Sequence, residues 1–181
     1  MLDFTKNNTQ DSSAAHKKNT AYSLACGAII AALYVLLTFV SSIFGMSSGV
    51  IQVRISESLC VLPCFMGCAV PGLSVGCFIS NLLFGGGIID AVVGTAATLI
   101  GAAGTYLLRR HRILSLAPPI LANALIIPLV QAIAFSVTEG YFYLALMIFI
   151  GEFISVGVLG FALGGVLIKY PFIYNQSRAG K

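Results

Sequence analysis

The chain reads as an all-α integral membrane protein, a bundle of six transmembrane helices with both termini in the cytoplasm. Three observations predict the six-helix bundle. Of the 181 residues, 58% are hydrophobic and only 9% are charged, against roughly 25% charged in a soluble domain, so most of the surface must face lipid. The apolar residues gather in six runs, near 21–43, 55–67, 70–84, 88–108, 115–135 and 141–168. With six spans and the N-terminus inside, Lys6, Lys17, Lys18, Arg109, Arg110, Arg112, Lys169, Arg178 and Lys181 all fall on the cytoplasmic side, and Arg54 alone falls outside. That split follows the positive-inside rule. A five-span count would put either the N-terminal lysines or the Lys169–Lys181 end outside. The net charge of +4 is thus a topology signal and no footprint of nucleic acid.

Residues 1–20 are a polar cytoplasmic tail without a secretory pattern, residues 21–170 the membrane domain, and residues 171–181 a second cytoplasmic tail. The Asn7-Asn8-Thr9 triplet matches a glycosylation sequon, but a cytoplasmic tail would not meet that chemistry. In the first run Ala21, Ala25, Ala28 and Ala32 share one helical face. Small faces let helices approach closely in lipid, either within the bundle or against a partner. The stretch 44–52, FGMSSGVIQ, carries Gly45, Gly49 and two serines and suits a mobile outer lid. The second and third runs are short for a span of about 20 residues; they could merge, or one could be re-entrant. Pro71-Gly72 separates them and Gly85-Gly86-Gly87 ends the third. The last run, about 28 residues, would measure roughly 42 Å as an α-helix, so it must tilt or project beyond the roughly 30 Å hydrocarbon core. Gly72-x-x-x-Gly76 and Gly160-x-x-x-Gly164 read as internal packing sites.

Among the six acidic residues, Asp3 and Asp11 lie in the tail, whereas Glu57, Asp90, Glu139 and Glu152 interrupt the apolar body. An ionisable group inside a membrane segment is costly, and its default reading is a functional site facing a cavity. Glu152 falls near the bilayer midplane. Arg54, Glu57, Asn81, Asp90 and Gln131 fall in the outer half, which outlines a cup open to the outside. Each has a plainer alternative. Arg54 and Glu57 could pair at i+3, Asp90 could cap the helix that begins beside it, and Asn81 and Gln131 could bond between helices. Asn123, near Pro118, Pro119 and Pro128, reads as satisfying kinked backbone, and Glu139 as a solvated loop residue. Cys60, Cys64 and Cys68 recur every fourth residue as a metal ladder would, but cysteine is also a small buried apolar residue. The reading therefore includes no metal. His16 and His111 lie outside the runs, so a membrane hydrolase lacks its base, and the chain reads as no enzyme, with no catalytic residue.

The stretches IQVRISESLCVLP (51–63), PGLSVGCFISNLL (71–83) and DAVVGTAATL (90–99), with Gly151-Glu152, resemble the QueT family. The resemblance covers about residues 21–170. It implies the S-component, or substrate-binding subunit, of an energy-coupling-factor (ECF) importer in a bacterial plasma membrane. It implies a deazapurine ligand, the queuosine precursor 7-cyano- or 7-aminomethyl-7-deazaguanine. It also implies a transmembrane coupling subunit, docked through the alanine face, and two cytoplasmic ATPases that hydrolyse ATP. This chain itself carries no cofactor, and it has no G-x-x-x-x-G-K-[ST] phosphate loop. Two alternatives stay open: an S-component for another vitamin-like cargo, and a proton-coupled carrier using Glu152.

Overall fold

The computed structural model describes residues 4–46, 52–85, 87–134 and 140–169, with side chains from Thr20 onward except at 133 and 134. Residues 47–51 of the expected lid at 44–52, Glu139 and the 171–181 tail lie outside the described residues. Among these residues all regular secondary structure is helical. Six α-helices run α1 (Phe4–Ile43), α2 (Ala69–Phe84), α3 (Ile88–Leu107), α4 (Ala117–Ala134), α5 (Tyr141–Glu152) and α6 (Phe161–Ile168). A 3₁₀ helix fills Ile55–Cys64, a 3₁₀ turn Leu114–Leu116, and a π-helical stretch Phe153–Gly160 joins α5 to α6.

Four segments are long and apolar enough to cross a membrane: Thr20–Ile43, Ile88–Leu107, Leu114–Ala132 and Tyr141–Ile168. The second and third apolar runs are shorter. At about 2.0 Å rise, the ten-residue 3₁₀ helix reaches roughly 20 Å. The sixteen-residue α2 reaches roughly 24 Å at 1.5 Å rise. The α1 backbone is helical from Phe4, so the polar N-terminal stretch continues the axis of the first span.

The surface is far more apolar than that of a soluble protein, and polar side chains share the interior with an apolar core. Leu24, Phe44, Leu107, Ile113 and Phe142 are exposed, whereas Ser41, Ser56, Glu57, Ser80, Asn81 and Thr105 are buried. That is the pattern of a helical bundle whose solvent is lipid. Helices consecutive in the chain pack side by side, α1 on α2, α2 on α3, α3 on α4 and α4 on α5. The 3₁₀ helix occupies the centre, touching α1, α2, α3, α6 and the π stretch, and every residue from Ser56 to Cys64 is buried.

Glycines set the closest approaches. A Cβ at Gly72 would stand 2.7 Å from the Gly27 carbonyl oxygen, and one at Gly76 2.8 Å from the Tyr34 Cβ. The Gly72-x-x-x-Gly76 pair therefore serves internal packing of α2 on α1. Gly160 and Gly164 receive the 3₁₀ helix through Ser58 and Val61. The Cys60–Cys64–Cys68 ladder is not one face. With three residues per turn, positions four apart diverge by about 120°, and Cys68 already lies at the start of α2.

Candidate functional site

Of the two central carboxylates, one sits on a segment that is not α-helical and the other directly precedes one. Glu57 lies in the first turn of the 3₁₀ helix, and Glu152 ends α5 where the π stretch begins. Such π segments recur at functional sites because they re-aim side chains. Here the π stretch packs on the 3₁₀ helix. Gly151 sets the height of the joint: a Cβ there would overlap the Gln52 carbonyl oxygen. Only glycine lets the 52–54 backbone lie against α5 beside Glu152.

Arg54, Glu57 and Glu152 line one small cavity together with Gln52, Cys77, Gly94, Thr98, Asn123, Ile127 and Ile148. Its volume is about 20 Å³, room for about one water. The ring of walls combines one cation, two carboxylates, amides, a hydroxyl and a thiol, with aliphatic side chains closing it.

Each polar group is held by a residue distant in sequence. The Tyr34 hydroxyl, fully buried on α1, donates to Glu57 Oε1. The Cys60 thiol donates to Glu57 Oε2 at 3.2 Å, because residues three apart eclipse in a 3₁₀ helix. Arg54 Nη1 donates to Asn81 Oδ1 at 2.9 Å. The Asn81 amide NH₂ faces Cys77 Sγ and the Asp90 carbonyl oxygen, both at 3.4 Å. Thr98 also donates to Cys77 Sγ, at 3.2 Å. Asn123 Nδ2 donates to Glu152 Oε1 at 2.9 Å. Glu152 Oε2 is buried with no hydrogen-bond partner among the described residues, and the Ser155 hydroxyl is in the same position. A buried acceptor left open at a cavity wall is costly without a donor. A donor placed beside it in the cavity could satisfy it.

The expected site residues therefore divide. Arg54, Glu57 and Glu152 come together at the cavity. Asn81 stands behind Arg54 and spends its amide on positioning. Asp90 lies in the first turn of α3, while Gly87 takes the capping position without a side-chain cap. The helix begins at Ile88, which leaves Asp90 two residues inside it. A carboxylate there still complements the helix dipole. Gln131 is half-buried on α4 and does not line the cavity. Asn123 bonds a carboxylate side chain, where the sequence suggested a role in kinked backbone. Ala21, Ala25, Ala28 and Ala32 are all exposed, an outward stripe on α1.

Sequence reasoning missed Tyr34, Cys60, Cys77 and Thr98. One signal was available: Tyr34, Thr38 and Ser41 recur at i, i+4 and i+7, a polar stripe on an otherwise apolar helix. All three are buried. Among the described residues no three of His, Cys, Asp and Glu are grouped to hold a metal ion.

A family model described as the QueT transporter matches residues 24–169, a range that contains every cavity residue. A protein named queuosine precursor transporter QueT, from Lactococcus lactis subsp. cremoris (strain MG1363), is 38% identical over 84 residues. That stretch covers 46% of this chain and 49% of the relative, so the similarity spans about half of that protein's length. No solved structure matches the chain.

Proposed function

This chain belongs to the QueT transporter family, and from that premise we propose that it is the membrane-embedded substrate-binding subunit of an ECF-type importer for a deazaguanine. The family is one of transporters, so the chain is a multi-pass membrane transport protein and not an enzyme. The cargo, the partners and the topology are our reading.

One observation carries the cargo assignment: the cavity where Arg54, Glu57 and Glu152 meet, with Glu152 Oε2 left open. A deazaguanine presents an N–H beside an exocyclic NH₂ on one edge and a carbonyl oxygen next to them. A carboxylate accepts the donor pair, and a guanidinium donates to the carbonyl. Glu152 is suited to the donor edge and Arg54 to the carbonyl. Glu57 is suited to an aminomethyl substituent if its own donors yield. The relative's name points the same way. The present cavity, about 20 Å³, is far below the roughly 300 Å³ of a small-ligand pocket, so binding must open the site. We take six spans with both ends cytoplasmic, in a bacterial plasma membrane. Cargo then enters from the outside.

Transport would draw on partners. The outward alanine stripe suits close docking of a helix from a transmembrane coupling subunit, and two cytoplasmic ATPases would hydrolyse ATP. Titration of the purified chain with 7-cyano- and 7-aminomethyl-7-deazaguanine, with riboflavin and biotin as controls, tests the reading. Tight binding of one deazaguanine alone supports it. Binding of a control vitamin and neither deazaguanine would reassign the cargo.

A further inference from the structure

A second concavity lies apart from the cargo site, at the end of the bundle that carries the arginine turn. It is a groove of about 280 Å³ between the 3₁₀ helix, the Leu114–Leu116 turn and α6. Val61, Phe65 and Phe161 wall it, Gly164 and Gly165 open it, and Arg112 is its charged wall residue. The volume is close to the lower end of the roughly 300–1,000 Å³ typical of small-ligand pockets. A Cβ at Gly165 would meet nothing within 4 Å, so the groove is open along α6.

The charge around it has one sign. Arg109, Arg110 and Arg112 fall within the turn between α3 and α4. Arg109 stacks on Tyr106 with its guanidinium carbon 4.3 Å from the ring centroid. Arg110 and Arg112 are exposed, and exposed Lys169 follows the groove residue Ile168. An apolar trough ending in a cationic rim complements a molecule with a long hydrocarbon tail and an anionic head. Basic pockets between transmembrane helices at the cytoplasmic face recognise anionic lipid headgroups by this combination.

We propose that this groove is a binding site for an anionic phospholipid, its acyl chain against Val61, Phe65, Phe161 and the two glycines and its phosphate on Arg112. A zwitterionic lipid would fill the trough equally well but gain less from the rim. The occupied site would tie α6 to the 3₁₀ helix that carries Glu57.

The test is native mass spectrometry of the full chain, released from nanodiscs holding equal amounts of phosphatidylglycerol and phosphatidylcholine. The expected result is preferential retention of phosphatidylglycerol. Arg112→Gln should lower that preference by about fivefold, the effect of one arginine near an anionic surface. Gly165→Leu projects a side chain into open space and should displace both lipids without disturbing the helix. Circular dichroism and the gel-filtration profile, unchanged in both variants, verify the fold. Equal retention of the two lipids, or an Arg112→Gln variant that keeps the wild-type preference, overturns the proposal. So does a Gly165→Leu variant that keeps its lipid but no longer co-purifies with a partner subunit, since the groove would then be a protein contact.

Discussion

Asn123 and Glu152 are joined by one hydrogen bond, Nδ2 to Oε1 at 2.9 Å, and that bond determines which oxygen of Glu152 stays open. The two residues come from α4 and α5, which pack side by side. In Glu152→Gln, Asn123 will take the amide carbonyl as its acceptor. The amide NH₂ must then occupy the place of Oε2, and an acceptor becomes a donor. On the proposed cargo assignment, affinity for the deazaguanine should fall by about ten- to a hundredfold, the loss expected for a hydrogen bond to a charged group. Isothermal titration of wild type and variant checks this. An unchanged dissociation constant would remove Glu152 from the site.

Tyr34→Phe deletes the hydroxyl that donates to Glu57 Oε1 inside the bundle. The carboxylate keeps its Cys60 partner on the other oxygen only. Leaving a buried acceptor unmet costs about 1–3 kcal/mol, so the melting temperature in detergent should drop measurably. In Tyr34→Phe/Glu57→Gln the two losses should not add, because both remove the same contact. Strict additivity would show that the pair is not coupled.

Gly151→Ala should damage binding with the helices intact. The new methyl would overlap the Gln52 carbonyl oxygen, and backbone cannot rotate away as a side chain can. Either α5 or the 52–54 segment must shift, at a cost of about 1–3 kcal/mol. The Arg54–Glu152 geometry shifts with it. The control is Gly165→Ala, where the methyl meets nothing and helix propensity favours alanine by up to ~1 kcal/mol. Cargo affinity should fall in the first and hold in the second.

Ala28→Leu tests the outward stripe. Ala28 is exposed and lines a groove of about 420 Å³ between α1 and α2. A leucine there meets no close-packed interior. It should leave the affinity for the proposed deazaguanine unchanged while reducing co-purification with the proposed coupling subunit. Normal assembly in Ala28→Leu would move the docking face elsewhere.

Much of this architecture was legible because hydropathy is local. The six apolar runs match the observed elements closely, from Ile55–Cys64 and Ala69–Phe84 to the long Tyr141–Ile168 segment. Arg54, Glu57 and Glu152 stood out because a charge in an apolar run is expensive whatever surrounds it. The glycine pairs at 72 and 76 and at 160 and 164 were legible for a similar reason: small residues at helical spacing mark close approaches.

The remainder depended on contacts across the bundle. Hydropathy cannot distinguish a 3₁₀ or π stretch from an α-helix where the segment is apolar nearly all round and leaves no period to read. Yet the 3₁₀ stacking puts Cys60 on Glu57, and the π stretch follows directly on Glu152. The partners of the carboxylates stand 23 and 29 positions away along the chain, Tyr34 for Glu57 and Asn123 for Glu152. Asn81 turned inward to hold Arg54, and Gln131 fell outside the cavity, because depth in a span says nothing of the direction in which a side chain points. The sequence by itself determined which segments are apolar and which charged residues had to be enclosed among them. Only the tertiary structure decided which donors enclose them and which single oxygen remains open, because hydrogen bonds are short and directional and the groups that form them meet only when the helices pack.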